Sequence, residues 1–435
     1  FTWWTTSFYN PPKCYIMKIY EITLEIVSDI IYHCYKLKVG GTLMGIYKEK
    51  FAIAFEALKK NNIDTWIVAG HESATNSEPV LPTLGDFEFI GFTALIFNVD
   101  NTSAVVCTPI DADGYRRLQA FDEIIPFPIA FADTLSEYLK DKNPANIALD
   151  YSLNNPASDG LSVGVYNVLQ EAFNKLPYEV KIVSAEPIIN QVRGVKLPDE
   201  LARIEKACAC AEEIFNDAKG IIKAGMNCQD VYKFFQDETE RKGYGYSWPK
   251  SCNPGVFSGY GCPGGHMGAP DFIIKKGDVV NIDFGIVVDG YGCDLQRMYY
   301  VLDDDETDAP QEIKEAFYTV RDAIALAAKA LVPGVTGFEV DKVARDYILS
   351  KGFPEWNAAL GHQMGRVAHD GGPLLAPERP RYNRPELIHS PLSKGFVFTL
   401  EPGVPTSRGR IGLEEDVVVE ETGARFLTPP QQELY

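Results

Sequence analysis

Residues 281–294 read NIDFGIVVDGYGCD: Asp283 sits inside an apolar run, Asp294 follows eleven residues later, and Asp289-Gly290 lies between them. An Asp-Gly pair flanked by apolar residues is a strong signal for a two-residue β-hairpin loop. That loop fixes the register, placing residue 283 opposite 296 and residue 285 opposite 294. Asp283 and Asp294 then become diagonal neighbours on one face, with Cβ atoms about 7–8 Å apart. A buried carboxylate without a partner is strongly disfavoured, and two side by side repel and take up a proton. A cation held between them resolves both problems.

Three other segments carry polar residues in apolar or glycine-rich surroundings: GHQMGRVAHDGG with His362 and His369, FTLEPG with Glu401, and GLEEDVVV with Glu414 and Glu415. Any one of them could be a satisfied core histidine or a surface carboxylate. Their concentration in one region, in a chain with six histidines, favours a common site.

The 435 residues, 46% of them apolar, are enough for a large core and two or three domains. A net charge of -19 with no basic cluster excludes a nucleic-acid partner. Nine cysteines without C-x-x-C spacing fit neither a disulfide framework nor a structural zinc site and point to a reducing cytoplasm. No apolar run reaches membrane-spanning length, so no membrane partner is expected.

The first 43 residues, which begin FTWWTTSFYN, lack a clear period, and Met44 opens a helical pattern through GIYKEKFAIAFEALKKN. Residues 1–43 are expected to be an N-terminal extension, either upstream translation or a poorly packed segment, with a docking helix from about Met17 to Leu37 as the competing reading. Residues 44–185 alternate helix and strand as an α/β domain, with DTWIVAG, TALIFNV and TSAVVCT, and NIALD as strands. A boundary follows, and residues 186–435 form the second domain, entered by a helix from Pro198 to about Gly225. Helices over 310–331 and from Thr336, with Glu339 completing a capping box, separate its strands. The fold class is α+β. GYGCPG at 259–264 matches a nucleotide-binding glycine pattern, but Pro263 and the lack of a clear preceding strand or following helix make it a loop.

The residues Asp283, Asp294, His362, Glu401 and Glu415 resemble the five metal ligands of the metallopeptidases of the creatinase/prolidase/aminopeptidase P superfamily, family M24. The spacings of the two aspartates, of His266 before the first, and of His369 after His362 all match, and the likeness covers essentially everything after residue 44. It implies a C-terminal pita-bread catalytic domain preceded by a creatinase-type N-terminal α/β domain. It also implies two divalent metals, with Mn expected and Co, Fe or Zn accommodated, and hydrolysis of Xaa-Pro peptide bonds through a metal-bridging hydroxide. In that scheme Glu401 shuttles the proton, while His266 and His369 bind the substrate carbonyl or oxyanion. Glu415 is preferred over Glu414 because the family's ligand precedes an Asp, here Asp416. A short peptide substrate, a homodimer and a cytoplasmic location follow from the same likeness.

Two departures bear on the substrate. Ala358 stands where Xaa-Pro peptidases carry a histidine, and Leu413 stands two residues before Glu415, where they carry an arginine. The alternative is the same fold and metals acting as a lyase or hydrolase on a small non-peptide metabolite.

Overall fold

The computed structural model describes residues 47–435 except 86, 266, 267 and 383, so the expectations for residues 1–43 and for His266 lie outside the described residues. Among the described residues, no helix is long and apolar enough to cross a membrane.

The N-terminal part is built on a six-stranded sheet in the order Glu123–Pro126, Ser103–Cys107, Thr93–Asn98, Thr65–Gly70, Asn146–Leu149, Lys181–Ser184. Thr93–Asn98 and Ser103–Cys107 form the expected antiparallel pair around Asp100-Asn101. Alternation along the central strand buries both faces. Trp66 and Val68 join the core under the helix over 47–60, while Ile67 and Ala69 join the core under the helices Phe131–Lys142 and Val163–Phe173.

One polar group interrupts this core. Asp150 directly follows a central strand, is 2% exposed, accepts a hydrogen bond from Trp66 Nε1 at 2.5 Å, and lies against the buried Glu78. Burial pushes Asp150 up to about 7, and burial together with Asp150 pushes Glu78 well above the usual carboxylate range. Both groups therefore bind a proton more tightly in the fold than in the unfolded chain. Their contribution is complete below the unfolded value near 4 and is lost as pH rises through 7. Asp150→Asn keeps the Trp66 acceptor and removes one titration. It is expected to gain on the wild type by on the order of 2 kcal/mol between pH 5 and pH 8 in paired urea melts. Parallel stability profiles for the two proteins would show that the pair does not titrate with folding.

Of the three three-stranded antiparallel sheets described in the C-terminal part, two frame the site: Gly255–Ser258, Val279–Phe284 and Leu295–Tyr300 in one, and Val397–Leu400, Glu415–Glu420 and Gly423–Phe426 in the other. They meet at a bridge between Gln296 and Glu414. The helices Pro198–Ala218 and Cys228–Arg241 pack on one side, and Gln311–Ala330 with Gly337–Ser350 on the other. The α+β expectation is met, and the Thr336–Glu339 capping box is present. Two boundaries differ from the sequence reading. The long helix stops at Ala218 instead of near Gly225, because Lys219-Gly220 turns the chain, although Ile221 and Ile222 prolong the apolar period. The GYGCPG loop does follow a strand, Gly255–Ser258, which the neighbouring Pro254 and Gly255 had concealed.

The two parts are joined through the buried Lys50 on the first described helix. Its Nζ donates to the carbonyls of Val192 (2.9 Å) and Val195 (2.8 Å) and pairs with Glu200 at 2.7 Å. Glu200 also accepts from the Leu197 amide (2.7 Å) and from Tyr291 Oη (2.8 Å), tying the junction to the hairpin.

Candidate metal centre

The hairpin forms in the register that its Asp-Gly loop dictates: Val288 faces Tyr291, Val287 faces Gly292, Phe284 faces Leu295 and Asp283 faces Gln296. Asp289 and Gly290 take the positive φ values, 51° and 80°, that such a loop requires.

From there the site is built sideways. Gln296 faces Asp283 on one side and bridges to Glu414 on the other; Leu400 pairs with Glu415, so the next position of that ladder sets Glu401 against Glu414. Side chains in register across neighbouring strands share a face. Asp283, Gln296, Glu414 and Glu401 therefore form one row, and Asp294 joins it diagonally. His362, at the end of the short strand Gly361–His362, closes the group, its Nε2 3.8 Å from Asp294 Oδ2 and 3.6 Å from Glu401 Oε1. Asp294, His362 and Glu414 offer ligand atoms that all lie within 4.8 Å of one another.

Of the two adjacent glutamates, it is Glu414 and not the expected Glu415 that this geometry places in the group. Along a strand, successive side chains face opposite ways. Gln296 and Arg297 alternate, and so do Glu414 and Glu415: Gln296 Nε2 donates to Glu414 Oε2 at 2.7 Å, while Arg297 Nη2 pairs with Glu415 Oε2 at 3.0 Å. Glu415 is 1% exposed, its other oxygen accepts from the Gln431 amide at 3.0 Å, and Arg297 is shared with Glu212. Glu415 is thus a counter-ion to a buried arginine on the reverse face, and Glu414 takes the place in the group. With Glu414 in that place, the position two residues earlier is Gly412, not Leu413.

The electrostatics show what the group lacks. Burial raises Asp283 to about 7, and burial together with neighbouring carboxylates raises Glu401 to about 8 and pushes Asp294 and Glu414 well above the usual carboxylate range. Asp294 Oδ1 is buried without a hydrogen-bond partner. His362 is driven the other way, down to about 3, by burial and by His369, whose ring centroid is 4.4 Å away. Its Nδ1 faces the Gln363 carbonyl at 3.3 Å, which puts the proton there and leaves the Nε2 lone pair toward the carboxylates. Carboxylates that repel, an orphaned oxygen and a neutral imidazole aimed at them are the donor set of a divalent cation site. The residues fit the metals that the resemblance implies.

His369 and His362 line a cleft of about 530 Å³, walled by Pro79 and Asn155 from the N-terminal side and by Arg193, Gly372 and Leu374 from the other. Arg193, missed by the sequence reading, spans it. Its Nη1 donates to the Pro79 carbonyl and its Nε to the Asp370 carbonyl at 3.1 Å, and its Nη2 pairs with the Asp370 carboxylate. Lys196 Nζ adds a second cation to Asp370 at 3.0 Å. Burial alone would raise Asp370, but Arg193 and Lys196 outweigh it and hold the carboxylate below its ordinary value. The residue next to His369 is therefore fixed as an anion.

The profile of "Metallopeptidase family M24" matches residues 202–421. The chain is 25% identical over 398 residues to a protein named Xaa-Pro dipeptidase from Pyrococcus horikoshii, covering 90% of this chain and 100% of that one. The solved X-Pro aminopeptidase from Thermotoga maritima superposes with a TM-score of 0.64 at 25% identity, covering 87% and 99% of the two chains. The prolidase from Pyrococcus furiosus shares the fold with a TM-score of 0.61 at 22% identity, covering 87% and 100%.

Proposed function

Since the chain belongs to metallopeptidase family M24, we propose that it is an Xaa-Pro exopeptidase acting on short peptides. The observation that carries this reading is the single row of Asp283, Gln296, Glu414 and Glu401, completed by Asp294 and by His362, which also lines a cleft of peptide size. Relatives named for Xaa-Pro bonds span most of the chain and support the substrate class.

Asp283, Asp294, His362, Glu401 and Glu414 would hold two divalent ions, and an oxygen-rich set with one imidazole suits Mn²⁺, with Co, Fe or Zn as substitutes. When bound, the ions supply Lewis acidity, polarising the scissile carbonyl and acidifying a water near neutral pH. The chain does the rest. Glu401, set against Glu414 in the row, takes the proton of the attacking water and passes it to the leaving amine. His369, on the cleft wall beside His362, donates to the carbonyl oxygen as charge develops, a role shared with His266. Gln296 holds Glu414 by its 2.7 Å hydrogen bond. The same reading makes the protein a cytoplasmic homodimer.

Metal-stripped protein is expected to hydrolyse Ala-Pro, Gly-Pro or a longer Xaa-Pro peptide only after Mn²⁺ is restored, and Asp283→Ala to abolish that rescue. Stoichiometric metal uptake without cleavage of any Xaa-Pro bond would move the search to small non-peptide metabolites.

A further inference from the structure

The glycine-rich loop at 259–264 has no part in the reaction described above, yet it leaves the strand Gly255–Ser258 and runs toward His266. Gly259 and Gly261 take positive φ values of 64° and 82°, and the loop lies in solvent at Gly261, Pro263 and Gly264, with Tyr260 82% exposed. Cys262 behaves differently from its neighbours. It is half-buried and packs against the apolar cluster that contains Cys228.

Cys228 opens the helix Cys228–Arg241 and is fully buried. Its amide donates to the Phe272 carbonyl at 2.9 Å, and Asn227 caps the helix by accepting from the Gln229 amide at 2.9 Å. One cysteine therefore stands on a fixed support and the other on a loop. Both are free thiols, and they meet in a hydrogen bond that Cys228 donates and Cys262 accepts. That bond, helped by one from the Ser258 backbone, outweighs burial and draws the Cys262 thiol down to about 7, while the same bond and burial hold Cys228 up. A thiol with thiolate character at the rim of a solvent-exposed loop, touching a second thiol, has the arrangement of a reactive cysteine and its resolving partner.

We propose that Cys262 is a peroxide-reactive site and Cys228 its resolving thiol, and that the disulfide between them fastens the loop before His266 to the helix and slows turnover. In the first step Cys262 Sγ attacks hydrogen peroxide: an S–O bond forms, the O–O bond breaks, and the departing hydroxide takes up the proton Cys262 gave away, leaving as water. Sulfur loses two electrons and peroxide gains them. Cys228 Sγ then attacks the sulfenic sulfur; the S–S bond forms as the S–O bond breaks, and the hydroxide leaves with the Cys228 proton as a second water. One peroxide and two thiols give one disulfide and two waters, and a small dithiol reverses the bond by exchange. Such a bond suits a reducing compartment, where disulfides are transient and redox-sensing. The cross-link itself is independent of what the enzyme cleaves, whereas its effect on turnover rests on the Xaa-Pro reading and on the place of His266 in it.

The test treats the full-length protein with hydrogen peroxide, removes the excess with catalase, loads Mn²⁺ and assays Ala-Pro, with peptide mass mapping of the same samples. Mapping should join residues 228 and 262 with the loss of two hydrogens. The wild-type kcat should fall by about 3- to 10-fold and return with dithiothreitol. Cys262→Ser should match the untreated wild type and ignore peroxide. Cys228→Ser should form no cross-link and leave Cys262 as a sulfenic acid that dimedone labels. A cross-link from Cys262 to another cysteine, a 228–262 bond that leaves kcat unchanged, or a reversible loss of the same size in Cys262→Ser would overturn the proposal. If the untreated, reduced enzyme cleaves no Xaa-Pro peptide, it is the Xaa-Pro reading that has failed. Mapping then decides the redox pair alone: a 228–262 bond supports it, and its absence rejects it.

Discussion

Glu414→Gln is expected to lose metal and about 10³-fold in kcat, because the ions' several kcal/mol of transition-state stabilisation depends on a complete ligand set. Glu415→Gln, one residue along, should keep its metal and stay within about twofold in kcat, but lose on the order of 2 kcal/mol of stability as buried Arg297 gives up one of its two anionic partners. The pair of variants separates the two faces of one strand. Metal titration and urea melts on each read it directly, and metal loss in Glu415→Gln with retention in Glu414→Gln would reverse the assignment.

The second large effect lies at the Asp370 latch. Asp370→Ala would leave Arg193 and Lys196 buried without their common anion. Removing one partner from such a group costs about 3–5 kcal/mol. The loop carrying His369 would keep only its backbone bond from Arg193 Nε as a tether, so kcat should fall along with stability. Chemical denaturation and steady-state kinetics measure the two losses. A variant as stable as the wild type would mean that solvent reaches the two cations and that the latch is superficial.

How much of this was legible in the sequence depended on the range of the interaction concerned. The hairpin register was readable because Asp289-Gly290 sets it within a few residues, and the observed facing of Asp283 and Gln296 agrees. The capping box at Thr336 was equally local. Glu414 was not readable in that way. Which of two adjacent glutamates faces Gln296 depends on a bridge between strands more than a hundred residues apart, and a one-position shift moves a carboxylate from the cluster to the face of the buried arginine. The choice of Glu415 rested on its neighbour Asp416, whose carboxylate in fact accepts from the Asp294 amide at 3.0 Å and supports the hairpin from behind. Arg193 and Asp370 are 177 residues apart, and nothing local in either segment announces the pairing.

Lys50 has a consequence for how the two halves can be inherited. The half carrying the metal-site residues begins at a junction whose carbonyls, at Val192 and Val195, and whose carboxylate, Glu200, are all turned toward a lysine from the other half. Cut away from that lysine, Glu200 would keep its bonds to Leu197 and Tyr291 but lose its cation. The catalytic half is therefore not a portable cassette. Recombination that swapped either half alone would have to bring a matching lysine or carboxylate with it, so the two are bound to evolve as one unit.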